Sequence, residues 1–153
     1  MLKKISLFLA SSLAVMGLAM DFEAQSSSFS APSAYDWHYR PVFIFADKQS
    51  GGILAPQLQL FLTQKDKLAA RNMALITVTD EAVIHYGPKL ALDAHALRRR
   101  YNIAQQGFTL ILVGKDTGEK YRARKLLDPQ IIFDTIDGMP MRIQEMQSQR
   151  DGF

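Results

Sequence analysis

Three unbroken apolar runs constrain this chain more than anything else in it: PVFIFA at residues 41–46, MALITVT at 73–79 and FTLILV at 108–113. Each is rich in β-branched and aromatic residues and too short for a buried helix, the pattern of a strand covered on both faces. Strands of that kind need helices above and below, so the segments between them are expected to supply two layers of cover. After the first run, Leu54, Leu58, Phe61 and Leu62 recur at helical spacing through about Leu68, with Pro56 suited to a first helical turn. Strand, helix, strand in that order predicts a right-handed crossover and a parallel pair.

The remaining segments fall into place around this unit. Residues 79–92 contain Gly87-Pro88 between two weakly apolar pieces and read as a long irregular connection. Asp93 is placed as the N-cap of a helix with Ala94, Leu97 and Tyr101 on one face, and with Arg98, Arg99 and Arg100 mostly on the other, solvated face. After the third run, Gly114-Lys115-Asp116-Thr117-Gly118 leads into Glu119-Lys120-Tyr121-Arg122, a hairpin that adds an antiparallel edge. Asp128-Pro129 is an N-cap and first-turn pair for a helix carrying Ile132, Phe133 and Ile136, with Gly138 at its C-terminal cap. The residues beyond Gly138 end in a polar tail and receive no element. The fold class expected is α/β, a central mixed sheet of about four to five strands flanked by helices.

At the N-terminus, Lys3 and Lys4 precede an apolar stretch from Ile5 to Leu18, short for a membrane span and suited to a signal peptide. Cleavage is expected after Ala19 or after Ala24, and an N-terminal anchor is the alternative. The chain then divides into a signal peptide at 1–19, a Ser-rich lead-in at 20–34, a domain at 35–146 and a polar tail at 147–153. Tyr35, Trp37 and Tyr39 alternate at the domain's start, with Trp37 expected to pack on its edge. The formal charge is +3, and setting aside Lys3 and Lys4 leaves 16 basic against 15 acidic residues. That balance gives no electrostatic case for nucleic acid or for stable membrane insertion after signal cleavage. The expected location is secreted or periplasmic.

The chain contains no cysteine. Disulfides, a thiolate nucleophile, a cysteine metal site and an iron–sulfur cluster are therefore all excluded. The three histidines, His38, His85 and His95, have no ligand spacing, so no metal and no cofactor is implied.

The order strand, helix, strand, helix, strand, hairpin strand, helix resembles a thioredoxin-like domain. Arg40-Pro41, Leu97-Arg98 with Tyr101, residues 112–116 (LVGKD) and residues 136–142 (IDGMPMR) are more specific, and resemble the P-DUDES family, a thioredoxin- and peroxiredoxin-like domain of unknown function. The resemblance covers about 35–146 and implies an exported module without a known reaction. Gln49-Ser50-Gly51-Gly52 stands where thioredoxins carry Cys-x-x-C, and neither Gln nor Ser can exchange disulfides near neutral pH. Phe108 stands where thioredoxins have their cis-proline, and a trans bond is expected there.

Two groups of residues are candidates for function. Asp47, Lys48, Gln49, Ser50, Gly51 and Gly52 follow the carboxyl end of a central strand, where open α/β sheets place ligands, although a solvated strand-to-helix turn explains them equally. Lys115, Asp116, Asp137 and Arg142 form a polar set read first as ion pairs fixing the hairpin to the last helix, and second as a site. Ser50 lacks a nucleophile-elbow motif, and no catalytic residue is assigned. The expected function is a non-redox binding or protein-interaction module with an unknown protein or small-molecule partner. The alternative is an enzyme with non-thiol acid/base chemistry at residues 47–50.

Overall fold

The computed structural model describes residues 38–80 and 82–152. The expected signal peptide, the lead-in, Tyr35 and Trp37 lie outside the described residues.

The three apolar runs form the centre of one five-stranded sheet in the order β3-β2-β1-β4-β5. β1 (Arg40–Phe45) and β2 (Met73–Val78) pair in parallel, in register from Arg40 opposite Met73 to Phe45 opposite Val78. β4 (Thr109–Val113) lies antiparallel on the other side of β1, and β5 (Glu119–Ala123) is its hairpin partner. The chain is thus α/β with a mixed sheet. Every residue of β1 and β2 is buried, as continuous apolar runs require when both faces are covered.

Strand alternation sorts the core into two layers. Val42, Ile44, Leu75, Leu110 and Leu112 face one way, against Phe61 of α1 (Gly51–Leu62) and Ile132, Phe133 and Ile136 of α4 (Pro129–Asp137). Phe43, Phe45, Ile76, Ile111 and Val113 face the other, against Leu97 and Tyr101 at α3 (Ala94–Arg100). The expected caps form: Asp93 accepts from the Ala96 amide at 2.7 Å, and Asp128 from the Gln130 amide at 2.9 Å with Pro129 following in the first turn.

Several details differ from the reading of the sequence. The first helix begins at Gly51, so Pro56 sits inside it, and it breaks at Thr63-Gln64 before the short α2 (Lys65–Ala70). The early start follows from Asp47, which caps a 3-10 turn at Lys48–Ser50 and launches the helix directly from it. Within the stretch assigned to an irregular connection, β3 (Val83–Tyr86) pairs antiparallel to β2. Gly138 caps α4 with φ −81°, in the right-handed region, so its left-handed freedom is not used. Beyond it, the segment given no element forms α5 (Pro140–Asp151). Of the three successive arginines, Arg98 is buried while Arg99 and Arg100 are exposed.

Candidate functional site

The two candidate groups lie at opposite ends of β1. Asp47 follows its carboxyl end. Its Oδ1 accepts from the Ser50 amide at 2.7 Å and from the Ser50 hydroxyl, and its Oδ2 accepts from the Gly107 amide at 2.9 Å. One carboxylate therefore caps the 3-10 turn and also ties it to the loop preceding β4. The Ser50 hydroxyl, with help from the Gly107 amide, holds the Asp47 carboxyl below its ordinary range. Such a group stays ionised and donates no proton near neutral pH. Ser50 gives its hydroxyl proton to Asp47 and not to a histidine. His85 lies on β3 opposite Ile76, and His95 on α3.

Lys48, Gln49, Gly51 and Gly52 are exposed, and nothing lies within 4 Å of where a Cβ on either glycine would stand. A shallow depression of about 180 Å³ opens between Asp47, Lys48, Thr79 and Asp80. Beneath it, Arg98 supplies a brace that the sequence reading placed on the solvated face. Its guanidinium pairs with Asp80 at 3.2 Å, donates to the Ala104 carbonyl at 3.0 Å and lies over the Phe45 ring. It also sits 3.5 Å from the Ala46 and Val78 carbonyls, where the parallel pair ends.

At the other end, Arg40 opens β1, Lys115 follows β4, and Asp137 and Arg142 stand at the junction of α4 and α5. Three of the four residues of the polar set join one network. Glu145, one turn beyond Arg142, takes a forked pair of bonds from Arg40 at 3.0 and 3.2 Å, a bond from Lys115 at 2.6 Å, and a contact from Arg142 at 3.5 Å. Asp137 receives Arg71 through two bonds and Arg142 at 3.5 Å. The second Arg40 arm also reaches the Arg71 carbonyl at 2.9 Å, closing the circuit. Asp116 stands apart from this circuit, paired with Lys120 and accepting from the Gly118 amide.

Burial pushes the Glu145 carboxyl up, but the bonds from Arg40 and Lys115 outweigh it and hold the group below its ordinary range. For Asp116 the Lys120 ammonium has the same effect. A cavity of about 360 Å³ lies beside the network, with Arg40, Lys115, Lys120, Met139, Pro140 and Met141 among its walls.

Arg71, Glu145 and Lys120 were not singled out in the sequence as site residues, and Arg40 was noted only for opening a strand. A cation heading a fully apolar run was the available signal for Arg40. Glu145 lies three residues after Arg142, a spacing that means contact only once the segment is known to be helical. A larger groove of about 860 Å³, with Tyr39, Leu62, Leu68, Met73, Tyr86 and Pro88 in its walls, is mostly apolar, and Gln59, Lys65 and Asn72 are the polar residues that line it. Among the described residues no cluster of His, Asp or Glu could hold a metal ion, and no helix is long and apolar enough to cross a membrane.

The family model described as "Domain of unknown function (DUF4174)" matches residues 32–145. No curated protein and no solved structure matches the chain.

Proposed function

Since the chain belongs to the DUF4174 family of domains of unknown function, membership brings no reaction with it, and we propose that the protein is an exported, non-redox binding module. The observation that carries this reading is the state of Asp47 and Ser50. At the carboxyl end of β1, where an open α/β sheet commonly places its chemistry, the carboxylate is held ionised and committed to a cap and a tether. The hydroxyl beside it donates to that carboxylate, and among the described residues it is given no other base. With no cysteine anywhere in the chain, thiol–disulfide exchange and thiol peroxidase chemistry have no nucleophile.

The scaffold reading is a thioredoxin-like domain of the P-DUDES type. The core order β2-β1-β4-β5, with β4 antiparallel to a parallel pair and helices on both faces, supports it. So does the join of β1 through a short turn to α1, the place where thioredoxins present their cysteine pair. Lys48, Gln49, Gly51 and Gly52 then form an exposed contact surface for a macromolecular partner, and the cavity at the other end of the sheet can take a small molecule. Export rests on the basic and apolar pattern of residues 3–18.

Purified protein assayed for insulin disulfide reduction, peroxide consumption and ester hydrolysis is expected to show no turnover. Turnover that Asp47→Asn removes without unfolding the protein would replace this reading with acid/base catalysis at residues 47–50.

A further inference from the structure

Among the described residues, the network at the amino end of β1 is unbalanced in charge. Arg40, Arg71, Lys115 and Arg142 bring four cations to two carboxylates, Glu145 and Asp137. Adding the neighbouring Lys120–Asp116 pair leaves the excess at two positive charges. The burial is what gives this excess meaning: Arg40 is 0% exposed, Arg142 6% and Lys115 9%. On the surface, water and salt would screen such an imbalance, whereas buried like charges drawn around one shared carboxylate need a counter-charge. The Nε atom of Arg40 is buried and has no hydrogen-bond partner among the described residues.

The cavity beside these groups is placed to receive that counter-charge. Arg40 and Lys115 line it, and Lys120 stands at its wall. Gly138, Met139, Pro140 and Met141 complete one side as the chain enters α5. That helix starts without a side-chain cap and without an acidic residue in its first turn. Its Met141 and Arg142 amides have no carbonyl one turn earlier within the helix, and the positive end of the helix dipole lies at Pro140 and Met141, which line the cavity. The remaining walls are Gly114, the Asp116 carboxylate, which is already neutralised by Lys120, and the apolar residues Met139, Pro140 and Met141. A volume of about 360 Å³ falls within the range of small-molecule sites, roughly 300–1,000 Å³.

We propose that this cavity, formed where β1, the β4–β5 hairpin and the α4–α5 junction meet, binds a small organic molecule carrying a doubly charged oxyanion group of the phosphate-monoester type. The anion lies against Lys115, Lys120 and the start of α5, with Arg40 behind it, and the organic part rests on Met139, Pro140 and Met141. The proposal rests on the binding reading above and adds a ligand class to it. It also gives a use to three stretches noted in the sequence, Arg40-Pro41, residues 112–116 and residues 136–142, which meet here.

The test is calorimetric titration of the purified protein with phenyl phosphate, inorganic phosphate and benzoate at constant ionic strength, with free phenol measured in parallel. Phenyl phosphate is expected to bind more tightly than either fragment. Lys115→Gln should weaken it about tenfold, the scale of one lost charge-assisted hydrogen bond. Lys120→Gln, at an exposed position whose loss does not threaten folding, should weaken it about threefold, which keeps the proposal testable if Lys115→Gln unfolds. Binding that neither variant changes would overturn the site. Inorganic phosphate binding as tightly as phenyl phosphate would overturn the organic part of the proposal. No binding of any probe would overturn the proposal while leaving a protein-binding module intact. Release of phenol would instead overturn the non-catalytic reading while keeping the site.

Discussion

Gln57 is a polar residue with 0% exposure on the inward side of α1, and its amide explains why it is tolerated there. Its Nε2 donates to the Leu127 carbonyl at 2.9 Å and its Oε1 accepts from the Leu127 amide at 2.8 Å. This pair of bonds stitches α1 to the approach to α4 and satisfies a buried stretch of backbone. Gln57→Leu is expected to lower stability by roughly 2–6 kcal/mol, because two buried backbone groups would each lose a partner at about 1–3 kcal/mol. Urea denaturation with an unchanged slope would measure it. Asp47 makes a different prediction. Its carboxyl is held below the ordinary value of 3.8, so its contribution is fully present above that pH and is lost as pH falls through the lower folded value. Asp47→Asn should therefore remove part of the acid dependence of stability, seen as a shallower fall in melting temperature below about pH 4. Single residues of this kind were only half legible in the sequence. The cap roles of Asp93 and Asp128 follow from local rules that need no partner from afar. The partners of Gln57 and Arg98 lie 70 and up to 52 positions away, and no local pattern reveals them.

α5 carries the strongest case at the level of elements. Its sequence, PMRIQEMQSQRD, has little apolar periodicity, so the usual sign of a packed helix is weak. What holds it is charge: Glu145 and Arg142 tie it to Arg40, Lys115 and Asp137. A helix attached by ion pairs to a strand more than 100 positions earlier is invisible to a periodicity reading, which is why this segment received no element. β3 was missed for a related reason, since a four-residue edge strand beside a Gly-Pro breaker lacks the length to stand out. Glu145→Ala should be costly, because it leaves Arg40 and Lys115 buried without their shared carboxylate. The expected loss is about 3 kcal/mol, at the lower end for breaking a buried pair because Glu145 is itself partly exposed. Hydrogen exchange should locate the loss, with protection falling first in α5 and at the start of β1.

At the scale of the whole molecule, the layered sheet was the legible part. Three apolar runs determine the central strands, and the helical segments between them determine the cover on each face. The cationic end of the sheet was legible only as separate motifs, because β1, β4, β5 and α5 bring its residues together from four parts of the chain. Four carboxylates, Asp47, Asp116, Glu119 and Glu145, are held below their ordinary values by hydrogen bonds and cations. Groups shifted this way stabilise the fold above the ordinary values, 3.8 for Asp and 4.5 for Glu, and lose that contribution as pH falls through the lower folded values. Urea midpoints are therefore expected to hold steady from about pH 7 to 5 and to drop below about pH 4.5.

The central claim, a binding domain whose small-ligand site is the cationic cavity, is tested most directly by following backbone amide resonances while phenyl phosphate is added. The predicted result is saturable shifts concentrated at residues 114–120 and 138–142, including the Met141 and Arg142 amides, with residues 47–52 unmoved. Shifts centred on residues 47–52, with residues 114–120 and 138–142 silent, would contradict it.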